Sequence, residues 1–432
     1  MCVKLYDLMF SLSCAMDLVA PELHNHHQQV TYLAYRLGEE MGLSQEELQD
    51  LLLAGIVHDV GSLSVRERLV MIREERQEIG SHAMRGAALL EKYPPFAPVA
   101  AILRYHHLSW NKGEGVSFQG NPVPMLSHVL HLADRICVLF TGSEHILLQL
   151  PQILARIQVR EGSRFLPEAV AAVVRLAARE HVWLELNDRE PLRYLRRETE
   201  FLAQDLTLSQ VLQIAQIFSH VIDFRSRFTS THSAGVAYTA RLLGELNGMS
   251  STECDMLLIA GYLHDLGKIA VDNDILEKAG QLSLQEYRII RSHTFFTYRL
   301  LSQIKGMETI AEWAAYHHEK LDGTGYPFHL SEKSLPYGAR IMSVADVFSS
   351  ITEDRPYREG MPRQQAIGTL QTMVQNGALS RELVEMLAAN YDLFLHVREE
   401  SQRQALEAYE EFSQLTQSIY SLPDIEGQAI SS

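Results

Sequence analysis

The amino-acid sequence predicts an all-α protein of two tandem helical bundles, and three observations support this prediction. Apolar residues recur at steps of three and four along much of the chain, which is the spacing of one face of an α-helix. No window alternates convincingly between apolar and polar residues, as a half-buried strand would. A series of histidine and aspartate positions occurs twice in one order. The 432 residues suffice for two or three domains.

The helices of the first half follow from this spacing. Residues 5–20 are mostly apolar but are interrupted by Asp7 and Asp17, no Lys/Arg-rich segment precedes them, and no small-residue cleavage site follows. We therefore expect an amphipathic helix rather than a signal sequence. Ser44, followed by acidic residues, predicts a helix start, and Gly61 lies where a helix would end. Further helices are predicted at residues 32–41, 46–57, 152–157 and 169–180.

The second half repeats these features. Ser250 or Ser251 predicts a helix start, and Gly267 lies at the matching helix end. Helices are predicted at residues 208–222, 234–246 and 381–393. We expect one domain at residues 1–200, a second at 201–425, and a frayed tail at 426–432.

The duplication pairs seven polar positions of one copy with seven of the other. The first three pairs are 206 positions apart, and the later ones 211 or 212 apart. The pairs are His26 and His232, His58 and His264, Asp59 and Asp265, His82 and His293, His106 and His317, His107 and His318, and Asp134 and Asp346. A lone histidine on an apolar helix is usually a core or cap residue. This role would explain several histidines outside the paired set, namely His24, His128, His131, His181 and His220. A core role does not explain the paired set.

The paired residues predict a metal site. Imidazole and carboxylate ligands without thiolate suit Mn, Fe, Co, Ni or Zn. Seven side chains exceed what one ion accepts, so we expect two ions, with Asp265 as the bridge between them. Two ions about 3.5–4 Å apart can activate water and clamp phosphoryl oxygens, which makes phosphoester hydrolysis the leading chemistry.

Composition excludes several classes of partner. Asp and Glu (54) exceed Lys and Arg (38), and a net charge of −16 repels DNA and RNA polymers, so a small phosphate ligand would need a bound cation or a local basic group. The four cysteines are far apart and form no CxxC pair, so we expect neither disulfides nor a zinc cluster, and a cytoplasmic location. No apolar run approaches the roughly 18–20 residues of a membrane span.

Three strings of the second copy carry a family resemblance. They are His264-Asp265-Leu266-Gly267-Lys268, the segment 317–327 (HHEKLDGTGYP) and the segment 354–358 (DRPYR). The ligand order resembles the HD superfamily of metal-dependent phosphohydrolases, and the strings resemble its HD-GYP family, bacterial phosphodiesterases of cyclic dinucleotides. The resemblance covers about 200 residues of the second copy, while the first copy is similar only through its ligands.

The resemblance implies roles for individual residues. One ion would lie among His232, His264, Asp265 and Asp346, and another, of Fe, Mn or another transition metal, among His293, His317, His318 and the shared Asp265. Asp265 and Lys268 would be catalytic. Lys268 would face the scissile phosphate, as would Arg355 or Arg358, and such a cation would stabilise transition-state charge. Asp322, Gly323 and Gly325 would form the substrate loop, and Tyr326 would either stack on a base or pack against helices.

The two copies depart from the family differently. Some members carry a Glu four residues before the first histidine and bind a third metal; the second copy has Phe228 there. It also has Ser349 where the family often has Asp. The first copy has Glu22 at that position, so two or three ions are expected, but Ser62 replaces Lys268 and no Gly-Tyr-Pro follows His107. The first copy is thus a decayed duplicate, a second active site or a regulatory site.

The resemblance therefore implies hydrolysis of 3',3'-cGAMP, cyclic di-GMP or both to a linear dinucleotide. Two alternatives stay open: a phosphohydrolase of another nucleotide, and a non-catalytic module that senses metal or cyclic dinucleotide. The base identity of the substrate, the native metal, a homodimer and a signalling partner are not determined by the sequence.

Overall fold

The structure, a computed structural model, describes residues 3–18, 25–62, 81–140, 144–195, 205–223, 231–276, 278, 280–354 and 359–420. The all-α prediction is confirmed, since helices account for nearly all regular structure there. The chain divides into two compact units. The first-copy unit comprises Leu12–Gln204 and Phe412–Ser432, and the second-copy unit comprises Asp205–Glu411 and Met1–Ser11. The helices Leu5–Asp17 (α1) and Tyr391–Tyr420 each cross this division. The predicted tail at 426–432 lies outside the described residues.

The first-copy unit is a helical bundle with one small hairpin. Its helices are α2 (His26–Met41), α3 (Gln45–Val57), α4 (Ser81–Leu90), α5 (Ala97–Arg104), α6 (Met125–Leu139), α7 (Ile146–Gln158), α8 (Pro167–Ala177), α9 (Glu180–Leu186) and α10 (Leu192–Leu195). Short 3-10 turns occupy Pro94–Phe96 and Asn111–Val116. Ser117–Phe118 pairs antiparallel with Asn121–Pro122.

The second-copy unit repeats the same helical order. Its helices are α11 (Leu208–Asp223), α12 (His232–Leu246), α13 (Ser251–Leu263), α14 (Asn273–Leu276), α15 (Leu284–Leu301), α16 (Glu308–Ala315), α17 (Tyr337–Thr352), α18 (Arg363–Gln375), α19 (Arg381–Ala389) and most of α20 (Tyr391–Tyr420). A 3-10 turn occupies Leu266–Ala270. Val3–Lys4 pairs antiparallel with Asp205–Leu206. The four strands have two residues each, which is too short to produce a period-two pattern in sequence.

Capping boxes begin the equivalent helices α3 and α13. Ser44 accepts a hydrogen bond from the Glu47 amide, and the Glu47 side chain bonds the Ser44 backbone. Ser250 and Glu253 repeat this arrangement, so Ser250 rather than Ser251 is the cap. The predicted start of α3 at Ser44 is confirmed.

Two predicted helices are each broken in the structure. The helix predicted at 169–180 ends at Ala177, and α9 begins at Glu180; the Trp183 indole N–H bonds the Leu176 carbonyl, 3.0 Å away, and satisfies one end of α8. The helix predicted at 381–393 ends at Ala389, before Asn390. Apolar spacing was misleading because it continues across both breaks.

Matched glycines bring the helices of each unit together. A Cβ on Gly55 would lie 2.7 Å from the Thr31 Cα, and one on Gly261 would lie 2.3 Å from the Ala237 Cα, so α3 and α13 pack closely on α2 and α12. These contacts place His58 and His264, the next residues after α3 and α13, in the interior.

The glycines after the His-Asp pairs have a different role from the predicted one. The helices α3 and α13 end at Val57 and Leu263, several residues before Gly61 and Gly267. A Cβ on Gly61 would lie 2.1 Å from the His82 carbonyl oxygen, and one on Gly267 would lie 1.9 Å from that of His293. These glycines therefore allow the third histidine of each copy to approach the His-Asp pair. No helix in the described ranges is long and apolar enough to cross a membrane.

Candidate metal centres

Main-chain carbonyls orient the imidazoles of the second-copy unit. The Nδ1 atoms of His264, His293 and His317 lie 2.7, 2.6 and 2.6 Å from the carbonyl oxygens three residues earlier. An Nδ1–H that donates to a carbonyl leaves Nε2 as the free ligand atom. All three rings are buried; α15 carries His293, while His264 and His317 follow the ends of α13 and α16.

The Asp265 carboxylate lies between two groups of imidazoles. Its Oδ2 is 3.3 Å from His264 Nε2, and its Oδ1 is 3.4 Å from His293 Nε2. Lys268 Nζ lies 2.5 Å from Oδ2. Burial alone would raise the pKa of Asp265, but His264 and Lys268 hold it well below its usual range. Asp265 thus has the position expected of a bridging carboxylate.

His232 lies between two buried carboxylates. Its Nε2 is 3.2 Å from Asp346 Oδ1, and its Nδ1 is 3.1 Å from Glu353 Oε2. Burial opposes protonation, but Glu353 and Asp346 outweigh it and raise the pKa of His232 to about 10. Positive charge is therefore stabilised at this position. Gln402 Nε2, 3.2 Å from Glu353 Oε2, holds that carboxylate in place.

The structure brings together all seven predicted ligands of the second copy. Potential ligand atoms lie within 4.8 Å of one another in three overlapping groups: His293, His317 and His318; His232, His264 and Asp346; and His264, Asp265 and His317. Burial lowers the pKa of His293 to about 3. A neutral imidazole and ionised carboxylates are the forms that a metal ion binds, so the donor set fits divalent transition metals.

The segment after His318 forms a loop that is organised by Glu319. The Glu319 side chain is buried and accepts three main-chain hydrogen bonds, from Phe328 at 2.7 Å and from His329 and Leu330 at 3.0 Å. A Cβ on Gly325 would lie 2.4 Å from the Glu319 Cα, so only glycine fits there. Glu319 and Gly325 together fix the path of the loop.

The predicted substrate residues of this loop have distinct surroundings. The Tyr326 ring lies 4.9 Å from the His318 ring, and the Arg291 guanidinium lies 4.4 Å from its centre, so Tyr326 borders the metal centre. Asp322 Oδ1 accepts two bonds from Thr324, both of 2.8 Å, which stabilise the turn. Gly323 has a φ of 79°, the left-handed region that favours glycine.

The first-copy unit contains an equivalent cluster. Asp59 Oδ2 is 3.5 Å from His58 Nε2, and Oδ1 is 3.4 Å from His82 Nε2. His26 Nε2 is 3.3 Å from Asp134 Oδ1, as His232 is from Asp346. Close groups comprise Asp59, His82, His106 and His107, and His26, His58 and Asp59.

Orphaned nitrogen atoms indicate that the first-copy cluster also fits metal. Among the described residues, the buried Nε2 atoms of His58 and His106 have no hydrogen-bond partner, while their Nδ1 atoms are 2.8 and 2.7 Å from main-chain carbonyls. Burial lowers the pKa of His82 to about 3 and that of His106 to about 4. Both rings are therefore neutral at pH 7 and able to bind a cation.

The first copy differs around its cluster. Leu108 occupies the position of Glu319, and the 3-10 turn Asn111–Val116 and the hairpin replace the Gly-Tyr-Pro loop. Ser62, at the position of Lys268, is buried. Arg135 bonds Asp134 Oδ2 at 2.8 Å.

Some predicted residues lie outside the described ranges: Glu22, His24, Phe228, Arg355 and Arg358. Sequence reasoning also missed contributors. Glu353, Arg291 and Glu319 were not singled out, although Glu319 directly follows the His-His pair. Glu353 has its partner 121 positions away, and Glu319 has its partners within the loop that follows it, so the spacing of the ligands alone could not identify them.

Comparison with known proteins agrees with the geometry. One family model of the HD domain matches residues 23–139, and a second model of the HD domain matches residues 216–383. The helical order and the two His-Asp clusters thus define a protein with two HD domains. Both copies of the chain therefore belong to the HD-domain family, and the chain is similar to tandem HD-GYP proteins.

Several relatives share this organisation in whole or in part. The chain is 29% identical over 397 residues to 3'3'-cGAMP-specific phosphodiesterase 1 of Vibrio cholerae, a match that covers 90% of this chain and 92% of the relative. It is 33% identical over 178 residues to a cyclic di-GMP phosphodiesterase of Thermotoga maritima, a match that covers 40% of this chain and 48% of the relative. A crystal structure of a cyclic GMP-AMP specific phosphodiesterase of V. cholerae has the same fold, with a TM-score of 0.63, 23% identity, and coverage of 91% and 99%.

Proposed function

We propose that the chain is a metal-dependent phosphodiesterase that hydrolyses a cyclic dinucleotide to a linear dinucleotide, and that the second-copy unit is its catalytic centre. One observation carries the location of the site. Asp265 touches both imidazole groups and Lys268 in the unit that also contains the Gly-Tyr-Pro loop.

The donor set supports two divalent ions in the second-copy unit, of Fe, Mn or another transition metal, and two or three in the first. When bound, such ions supply activated water and hold phosphoryl oxygens. His232, His264, Asp265 and Asp346 would hold one ion. The other would be held by His293, His317, His318 and Asp265.

The surrounding residues contribute charge and shape. Lys268 is partly exposed beside Asp265, so its ammonium group can meet a phosphate oxygen and stabilise negative charge as it develops. The Tyr326 ring borders the site and offers an aromatic face to a base. The Lys268 ammonium group also offsets part of the net negative charge of the chain at this site.

The substrate is a cyclic dinucleotide, 3',3'-cGAMP or cyclic di-GMP, or both. Relatives named for both specificities match this chain, and one that matches 90% of its length is named for 3'3'-cGAMP. The base specificity of the chain is therefore determined by comparing its turnover of the individual cyclic dinucleotides.

A substrate panel tests this proposal. The full chain, loaded anaerobically with Mn or Fe, is incubated with 3',3'-cGAMP, cyclic di-GMP, cyclic di-AMP and a dNTP mixture, and the products are resolved by chromatography. We expect a linear dinucleotide from at least one of the first two. Turnover of dNTPs alone would indicate another HD phosphohydrolase, and binding without turnover would indicate a sensing module.

The matched variants are Asp265→Ala and Asp255→Ala. Asp265→Ala should remove one or both second-copy ions and abolish hydrolysis, whereas the half-exposed Asp255, which pairs with Arg241 on the surface, should be replaceable with little effect. Retention of more than about a tenth of the wild-type rate by folded Asp265→Ala would contradict the assignment of catalysis to the second-copy unit, since a metal-activated step contributes far more than tenfold.

A further inference from the structure

An additional histidine lies beside the first-copy metal centre. His27 directly follows His26 and is completely buried. Its equivalent in the second copy is Ser233, 206 positions later, and Asp17 is equivalent to Asp223 at the same spacing. The two copies thus keep an aspartate and differ in the residue next to their first predicted ligand.

The aspartate orients a different group in each copy. In the second-copy unit, Asp223 accepts hydrogen bonds of 3.0 Å from the hydroxyls of Ser233 and Ser219. In the first-copy unit, Asp17 Oδ1 is 2.6 Å from His27 Nδ1 and 3.1 Å from the His27 main-chain nitrogen. A carboxylate on Nδ1 fixes the ring and its tautomer, so that Nε2 becomes the ligand atom, as in many metal sites.

The Nε2 atom of His27 faces the centre. It lies 4.0 Å from Asp59 Oδ2, the oxygen that is 3.5 Å from His58 Nε2. The His27 ring centre is 4.9 Å from that of His58 and 5.7 Å from that of His26. A distance of 4.0 Å is too long for a hydrogen bond. Two atoms that each lie about 2.1 Å from one ion, however, are at most roughly 4.2 Å apart.

We propose that His27 Nε2 is a metal ligand in the first-copy unit, on the ion that His26, His58, Asp59 and Asp134 would hold. The inference rests on the metal dependence of the proposed function but not on hydrolysis. His27 would add a third imidazole to the group of His26, His58 and Asp59, whereas the second copy has the two imidazoles of His232 and His264 at the equivalent ion. Because imidazole favours Co²⁺, Ni²⁺ and Zn²⁺ over Mn²⁺, the first-copy centre should prefer those ions.

The test uses a variant that removes only the ligand atom. In His27→Asn, the amide nitrogen can occupy the place of Nδ1 and keep the contact with Asp17, but no atom replaces Nε2. The matched control is His128→Asn: His128 is also buried, but its Nε2 is 3.0 Å from the Gly115 carbonyl, and its ring packs on Trp110. His27→Ser, which has the residue of the second copy, serves if His27→Asn does not fold by circular dichroism.

Metal binding is measured on the full apo chain by Co²⁺ titration, with visible absorption spectra and metal analysis. The second-copy centre contributes equally in every variant, so differences between variants report on the first. We expect the His27 variants to bind one Co²⁺ at least about tenfold more weakly and with an altered spectrum, and His128→Asn to match the wild type. Wild-type affinity and spectrum in a folded His27 variant would overturn the proposal and leave His27 as a core residue. A failed hydrolysis assay would not change this readout.

Discussion

Replacement of Glu319 by alanine should loosen the Gly-Tyr-Pro loop without removing metal. The carboxylate accepts hydrogen bonds from Phe328, His329 and Leu330, and alanine leaves these three N–H groups without their acceptor. Each bond to a charged acceptor contributes about 1.5–3 kcal/mol when buried. Since Phe328 is 37% exposed, water can replace part of this, and we expect the loop to be destabilised by about 2–4 kcal/mol.

Amide hydrogen exchange measures this change directly. A loss of about 2–4 kcal/mol corresponds to roughly 30- to 1000-fold faster exchange of the amides of residues 328–330. Because Tyr326 lies in the same loop, KM for the cyclic dinucleotide should rise while metal content stays constant. Glu319→Gln keeps one acceptor oxygen and should lie between alanine and wild type.

The control is Glu332→Ala, an exposed glutamate of the same segment whose carboxylate lies 3.6 Å from Arg340. We expect it to change stability by less than about 0.5 kcal/mol. Exchange rates and KM of Glu319→Ala that equal those of Glu332→Ala would refute the view that Glu319 holds the loop.

Two further predictions concern charge and helix packing. Lys268→Ser, which introduces the residue of the first copy, should keep the metal content but raise the activation barrier by about 2–4 kcal/mol, so that hydrolysis becomes roughly 30- to 1000-fold slower. Lys305→Ser, on the surface, should leave the rate unchanged. Near-wild-type turnover of Lys268→Ser would mean that Lys268 is only a solvated residue. Gly261→Ala should destabilise the second-copy unit by about 1–3 kcal/mol or more, because the new Cβ would lie 2.3 Å from the Ala237 Cα. Gly368→Ala, with open space around it, should instead stabilise the unit by about 0.5–1 kcal/mol. Calorimetry that shows equal effects of the two substitutions would contradict the packing argument.

The ligand positions could be predicted from sequence because the duplication displays them twice. Adjacent His-Asp and His-His pairs leave little choice of partner, and the structure places them in one cluster in each copy. Helix ends were predicted where a local signal exists, as at Ser44, and missed at Arg179, where apolar spacing runs on. Local chemistry reaches only a few residues along the chain.

Contacts between distant residues escaped the sequence for a physical reason. Glu353 reaches His232 across 121 positions, and its charge has a partner only after α17 packs on α12. Gly267 is a residue type that often follows a helix end, yet its role here is to let the His293 carbonyl approach the main chain closely. In both cases the residue type was visible, and its function depended on which helix lies opposite.

The differences between the copies act on separate properties of one architecture. The first copy has Ser62 at the position of Lys268, so it has no cation there to face a phosphate. It has Leu108 at the position of Glu319, so it has no carboxylate there to organise a loop like the Gly-Tyr-Pro loop. Neither change replaces a ligand residue. His27 for Ser233, by contrast, brings an imidazole nitrogen within 4.0 Å of Asp59. The first-copy unit thus keeps a candidate metal cluster, while Ser62 and Leu108 stand at the positions of Lys268 and Glu319, which favours a metal-dependent structural or regulatory role over a second hydrolytic one.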